Sequence, residues 1–279
     1  MMIQLIVDKT QTLKDFTDTA YAQASFCFAT LLKNKEIKVN GKKTGENIIV
    51  NVGDCVQYYL TEKQAQKTAY YILYQDENVC VIDKESGVNA EAVYAGLCRQ
   101  LGNGCRFIHR LDRNTRGLMV FALNDGAEKA LLTAFKNRMV EKRYHALCFH
   151  SFPKDTDVLT AYLKKDENKS LVKIYNTPVV GSEKIITEYK VLQYKNGQTQ
   201  AEITLHTGKT HQIRAHLAHI GCPIVGDMKY GDEKRNKALG IARQCLVAKS
   251  LRFHLDGEWS YLNEKQFTSQ FEVEYNGDR

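Results

Sequence analysis

No apolar run in this sequence approaches the 18 or so residues needed to cross a bilayer. The amino terminus, MMIQLIVDKT, has neither a basic leader region nor a long apolar core, so no signal peptide is expected. The eight cysteines (Cys27, Cys55, Cys80, Cys98, Cys105, Cys148, Cys222 and Cys245) contain no CxxC pair. Most sit inside apolar runs such as VCVID and HALCFH. They read as reduced core thiols of a cytoplasmic protein, not as a disulfide framework or a zinc site. GxGxxG, the phosphate-binding GxxxxGK loop and HExxH are also missing, which removes the motifs of the common nucleotide-loop and zincin enzymes. No internal repeat is present.

What is there is an ordinary globular composition with a cationic excess. Hydrophobic residues make up 43% and charged residues 25% of 279 residues. That length holds one large domain plus a small one, burying roughly three quarters of the unfolded surface. Lys+Arg number 39 against 32 Asp+Glu, a net charge of +7. The excess fits an anionic partner such as nucleic acid, and it also fits plain solubility.

Periodicity divides the chain. Residues 1–61 read as a small unit. Leu13, Phe16 and Ala20 fall at helical spacing after a candidate N-cap at Thr12, and a second helix covers 24–32. NKEIKVNGKK then alternates Ile37 and Val39 with lysines around Asn40-Gly41, a strong hairpin signal. VGDCVQYYL adds another strand. Residues 62–71 are polar, lack a hydrophobic period and read as a linker. Residues 72–279 read as the main domain. It opens with a strand pair, or a strand with a turn, over 72–84 and continues with a helix capped by Asn89 with Val93, Leu97 and Leu101 on one face. A second helix is predicted from an Asp125/Glu128 capping box to Met139, with Ala127, Leu131, Ala134 and Phe135 inward. Strands are expected over 144–150, 171–175, 185–192, 200–206, 245–250, near Tyr261 and over 271–275, with helical spacing returning at 207–221. Strands outnumber helices without alternating with them, which predicts an α+β fold with a large, mainly antiparallel sheet.

The chemistry concentrates in 107–122, FIHRLDRNTRGLMVFA, which sets Asp112 among His109, Arg110, Arg113 and Arg116 before Gly117 and an apolar strand. Asp112 is either a salt-bridge hub or a carboxylate presented to an anionic substrate. Arg214, beside Ile213 in the helical GKTHQIRAHLAHIGCPIVGD, would hold that carboxylate ionised if it faced the loop. Tyr144 brings a phenol at a strand start. One carboxylate, one guanidinium and one phenol suit nucleophilic or proton-transfer work on a polar ring. His206, His211, His216 and His219 form a cluster, but only His216 and His219 share a helix face and no Asp, Glu or Cys joins them at ligand spacing. No metal is therefore expected. His211 is expected to hydrogen-bond backbone or phosphate.

RLDRNTRGLMVF resembles the R-L-D-x-x-T-x-G signature of the RluA family of pseudouridine synthases. ILYQDENVCVIDKESG (72–87), VEKRYHAL (140–147), GKTHQIRAHLAHIGCPIVGD (208–227) and LVAKSLRF (246–253) are similar to further family segments in the same order. Arg116 stands where Ser is usual and Glu85 where Pro is usual. The resemblance implies the pseudouridine synthase fold, with a mixed, mainly antiparallel sheet flanked by helices. It further implies isomerisation of uridines in structured RNA, ribosomal before transfer, by a monomer with no cofactor. On that resemblance Asp112 acts during cleavage of the N1–C1′ bond, and Tyr144 stacks on the uracil and helps remove the C5 proton. Arg214 pairs with Asp112, Ile213 packs the base, and Arg110 lies by the extruded nucleotide. Residues 12–60 resemble the small RNA-binding domain of ribosomal protein S-four, with Ser25-Phe26 where Ser-Arg often stands. That likeness assigns Lys33, Lys38, Lys42 and Lys43 to RNA phosphates. The alternative is an RNA-binding or assembly factor that keeps the fold without catalysis.

Overall fold

A short strand, β1 (Met2–Ile6), and a two-residue strand, β2 (Gln11–Thr12), open the chain before α1 (Leu13–Ala20) and α2 (Ala22–Lys33). Thr12 caps α1 as its sequence predicts, its hydroxyl accepting from the Asp15 N–H at 3.1 Å. Strands β3 (Ile37–Val39) and β4 (Lys42–Thr44) form the hairpin around Asn40-Gly41. Both turn residues take positive φ, 50° and 78°, the geometry a two-residue turn requires. With β5 (Ile49–Val50) paired to β2 and β6 (Cys55–Tyr59) beside β1 and β3, the small sheet runs β1-β6-β3-β4. Leu13, Phe16, Leu31, Ile37, Val56 and Tyr58 give it its own core.

The computed structural model describes residues 1–102, 104–166, 171–241 and 243–273. It divides into one unit of Met1–Arg113 with Val120–Asp125, and a second of Asn114–Met119 with Gly126–Arg279. The polar stretch after β6 holds a single helical turn, α3 (Glu62–Ala65), closed by a capping box of Thr61 and Gln64. The first unit continues with the antiparallel pair β7 (Tyr70–Gln75) and β8 (Val79–Lys84), every residue of β8 being buried. Helix α4 (Ala90–Leu101) starts after Asn89, which holds the cap position without a side-chain cap bond. Strand β9 (Arg106–Phe107) pairs with the end of β10 (Arg116–Ala122), where Tyr94, Phe107 and Phe121 pack ring against ring at 5.5 to 6.2 Å.

Strand β10 contributes to both units. Its first half pairs in parallel with β16 (Leu246–Phe253), Gly117 opposite Ala248. Gly117 has φ 110°, and a Cβ there would stand 2.3 Å from the Ala248 carbonyl oxygen, so only glycine admits this approach. Helix α5 (Asp125–Lys136) buries Ala127, Leu131 and Ala134 and stops short of Met139. Asp125 lies inside the helix and accepts from Arg106 at 3.0 and 3.2 Å. Then come β11 (Val140–Phe149), β12 (Thr156–Asp166), β13 (Leu171–Tyr175), β14 (Glu183–Lys195) and β15 (Gln198–Leu205). In the second unit the large sheet runs β13-β12-β14-β15-β11-β16-β10 and is antiparallel except between β16 and β10. Helix α6 (Gln212–His219) packs on β13 and β14, α7 (Glu233–Ala238) follows, and β17 (Gln266–Thr268) pairs with β16.

The expected α+β class with a mixed, mainly antiparallel sheet and flanking helices is observed. Two late strands are corrected. Tyr261 lies in a 3-10 turn (Gly257–Leu262) that Gly257 enters with φ 62°, a left-handed backbone that breaks off an extended run even though Glu258–Tyr261 alternates polar and apolar residues. Of 271–275, residues 271–273 are irregular and the rest lies outside the described residues. All eight cysteines are free, and no helix among the described residues is long and apolar enough to cross a membrane.

Candidate active site

Asp112 occupies the irregular segment between β9 and β10 and is half-buried. Its neighbours His109, Arg110 and Arg113 are held within the first unit. His109 Nε2 accepts the Val120 N–H at 3.1 Å, which fixes the ring and leaves its other nitrogen to carry the proton. Arg110, exposed, pairs with Glu91 on α4 at 3.0 Å. Arg113 pairs with Asp18 on α1 at 2.5 Å. Two of the loop's arginines are therefore occupied by carboxylates other than Asp112.

Beneath the loop lies Lys84, the last residue of β8 and fully buried. Its ammonium donates to the carbonyls of Glu85 (2.9 Å), Val88 (3.0 Å) and Arg113 (3.2 Å), three acceptors for three protons. Burial pulls its pKa down to about 7, while the Asp112 and Glu85 carboxylates work in the opposite direction. A lysine ending an apolar strand is the sequence signal for this residue. Its role as a ligand of the Asp112 loop is not legible there.

The second unit holds the phenol and the guanidinium. Tyr144 is buried on β11, opposite Ile203 of β15 and Ala248 of β16, next to a register shift between Arg143 and Tyr144. A cavity of about 380 Å³ beside the start of β11 is lined by Arg138, Lys142, Arg143, Glu188, His206 and His254, among others. On α6, Ile213 is 5% and Arg214 6% exposed. Arg214 forks onto Asp227, Nε to Oδ2 at 2.7 Å and Nη2 to Oδ1 at 2.9 Å. Asp227 also accepts the N–H groups of Lys229 and Tyr230 at 2.8 and 3.1 Å. Burial pushes its pKa up, but Arg214 and these backbone donors outweigh it and hold the carboxyl below its ordinary range. The preceding Gly226, φ 78°, would put a Cβ 1.9 Å from the Arg243 carbonyl oxygen, so this turn demands glycine. Asp227 is a residue that spacing alone does not single out; its only signal is its place in the VGD ending the α6 segment.

The four histidines go to four different partners, not to one centre. His206 meets Glu188 at 2.8 Å, His211 the Tyr230 hydroxyl at 2.8 Å, His216 Thr187 at 3.0 Å and His219 Asn176 at 2.7 Å. Burial, with His219 adding to it, pulls His216 down to about 4, so it is neutral at pH 7. No group of three His, Cys, Asp or Glu among the described residues is placed to hold a metal ion. His211 takes φ 55° at the start of α6 and packs edge-on to Tyr230, which Arg214 also overlies at 5.3 Å.

On the small sheet Lys38 lies directly across from Lys43 and over the Tyr59 ring at 4.9 Å, while Lys42 faces Val39. Lys33 ends α2 and is exposed, as are Lys42 and Lys43. Like charges facing each other across a hairpin cost stability.

A model of the RNA pseudouridylate synthase family matches residues 69–219. Over 264 residues the chain is 29% identical to ribosomal large subunit pseudouridine synthase C of Vibrio parahaemolyticus, spanning 84% of this chain and 82% of that one. It is 32% identical over 249 residues to an uncharacterised RNA pseudouridine synthase of Mycobacterium bovis, spanning 81% and 80%. Among solved structures, human RNA pseudouridylate synthase domain containing 1 superposes with a TM-score of 0.60 at 26% identity, covering 67% of this chain and 79% of that one.

Proposed function

Because the chain belongs to the RNA pseudouridylate synthase family, we propose that it isomerises specific uridines of ribosomal RNA to pseudouridine with Asp112 as the catalytic residue. The observation that carries the choice of RNA is its likeness, along 84% of its length, to a synthase named for the large ribosomal subunit. The reaction breaks the N1–C1′ bond and forms C5–C1′, with loss of the C5 proton and protonation of N1. Nothing is oxidised or transferred to a second molecule, so the enzyme works without a cofactor. Eight free thiols suit a reducing cytoplasm.

In this reading the target nucleotide leaves its stack at a cost of a few kcal/mol, offset by stacking and phosphate contacts. Asp112 acts at the sugar or ring during glycosidic cleavage. Tyr144 stacks on the uracil and assists removal of the C5 proton, and Ile213 packs the base. Arg214, its plane fixed by the fork onto Asp227, pairs with Asp112. Arg110 lies by the extruded nucleotide and exchanges its exposed Glu91 partner for RNA. His211 orients Tyr230, so its contribution to RNA binding is indirect.

Site-resolved pseudouridine mapping in cells lacking the protein tests the assignment. One or a few pseudouridines should vanish from ribosomal RNA and return when the gene is restored. An unchanged map in ribosomal RNA with a loss in transfer RNA would move the substrate, and an unchanged map in both would leave a non-catalytic RNA-binding role. The small domain has its own test. Replacing Lys33, Lys38, Lys42 and Lys43 by Ala should weaken RNA binding and flatten its salt dependence by roughly 0.7 to 0.9 log–log units per lost phosphate contact. An unchanged slope would return these lysines to a solvated surface.

A further inference from the structure

Arg113, the residue after Asp112, is gripped at both ends. Its carbonyl accepts from the Gly87 N–H at 2.8 Å and from the Lys84 ammonium at 3.2 Å. Its guanidinium reaches back to the first two helices of the chain. Nη1 lies 2.5 Å from Asp18 Oδ2, and Nη2 donates to the Ser25 hydroxyl at 3.2 Å and the Ser25 carbonyl at 3.4 Å. Both oxygens of Asp18 are engaged. Lys14 meets the same Oδ2 at 2.5 Å, and the Ser25 hydroxyl donates to Oδ1 at 2.6 Å.

Asp18 is 7% exposed on a helix whose polar face could have carried it in water. Burial raises its pKa, yet the hydrogen bonds from Arg113, Lys14 and Ser25 outweigh that and leave it lowered, hence ionised at neutral pH. A buried, fully hydrogen-bonded acid is an expensive way to hold two helices together, since apolar packing does so at no desolvation cost. The same contact region already has such packing. Helix α1 lies against α4, Arg99 overlies the Tyr21 ring and donates to the Ala20 carbonyl at 3.1 Å, and the Phe26 ring lies within 3.6 Å of where a side chain on Gly87 would stand. The ion pair adds direction, and it adds it one peptide away from Asp112.

We propose that Asp18 is a positioning residue for Asp112. By fixing the Arg113 side chain, while Lys84 and Gly87 fix its carbonyl, Asp18 sets the backbone from which the Asp112 carboxylate projects. The amino-terminal helices are then part of the catalytic apparatus as well as an RNA-binding arm. Lys33, assigned above to phosphate, ends the helix that carries Ser25, so RNA contact and carboxylate placement share one helical pair. This rests on the reading of Asp112 as the catalytic residue.

The test measures single-turnover rate, KM and RNA affinity for Asp18→Asn, Asp18→Glu, Arg113→Gln and the Asp18→Asn/Arg113→Gln double variant. The substrate is a ribosomal RNA fragment bearing the mapped uridine, and the temperature is one at which circular dichroism shows each variant folded. A misplaced carboxylate should lower the rate constant roughly ten- to hundredfold while KM and RNA affinity stay within about twofold. Asp18→Glu, which keeps the charge, should recover part of the rate. The double variant should be no slower than the worse single one, as coupled partners require. A wild-type rate in folded Asp18→Asn or, where that variant does not fold, in folded Arg113→Gln would reduce the pair to a structural bridge. So would a loss confined to KM. Asp112→Asn, measured beside them, separates the two ideas. If it is inactive while Asp18→Asn is fully active, only the positioning role fails. If Asp112→Asn itself turns over normally, the catalytic assignment fails.

Discussion

Asp112→Asn should stop pseudouridine formation, with a loss of roughly 10²- to 10⁴-fold or more, in a protein that still folds and still binds RNA. Asparagine has nearly the shape of the carboxylate and keeps one acceptor oxygen, with a donating NH2 in place of the other. What disappears is the charge and the ability to attack carbon or take a proton. Asp112 is half-buried in an irregular segment, and its neighbours are held by other groups: Arg110 by Glu91, Arg113 by Asp18 and His109 by the Val120 N–H. The loop's neighbouring side chains therefore keep their anchors in the variant. A structural debit falls at Lys84, whose buried ammonium the Asp112 charge favours; its pKa should fall further, for a melting shift of at most a few degrees. Because the C5 proton leaves in the reaction, RNA carrying tritium at uridine C5 reports turnover directly. Release within about tenfold of the parent enzyme would remove Asp112 from the chemistry.

Features that depend on near neighbours in the chain are legible in the amino-acid sequence. Thr12 and the Asn40-Gly41 pair act on residues one to three positions away, and both produce the cap and turn expected of them. The alternation that marks β14 and β15 follows from one face being wet. Helix α7 and strand β12 carry no such signal, because EKRNKA is polar all round and β12 leaves most of its residues exposed or half-buried. For the site the division is similar. Composition leaves Asp112 as one acid among arginines, and its rank comes from the ordered segments over 72–253. The partner of each charge lies beyond the reach of spacing. Arg113 chooses Asp18 and Arg214 chooses Asp227 because the fold delivers a desolvated carboxylate there, and no local pattern encodes that delivery.

Arg214→Ala should damage stability as well as activity. It strands the Asp227 carboxylate, whose side chain is completely buried, with only the Lys229 and Tyr230 N–H groups for compensation. Removing one partner of a buried pair costs about 3–5 kcal/mol, a large share of the roughly 5–15 kcal/mol that holds a domain together. At about 2–4 °C per kcal/mol for a chain of this size, the melting temperature should fall by roughly 6–20 °C. The dependence on pH has a definite sign. Asp227 is held below its ordinary value of 3.8, so the pair's contribution is complete above that value and is lost as pH falls through the lower folded pKa. Without Arg214, burial raises the Asp227 pKa in the folded variant, so the stability gap between variant and parent should narrow as pH falls through that raised value. The double variant Arg214→Gln/Asp227→Asn sharpens the result. It leaves no stranded charge, and the new amide oxygen can still accept from Lys229 and Tyr230. Much of the lost stability should return, while turnover stays low if the Arg214 guanidinium acts in the reaction as proposed. Recovery of activity together with stability would make Arg214 a structural residue alone.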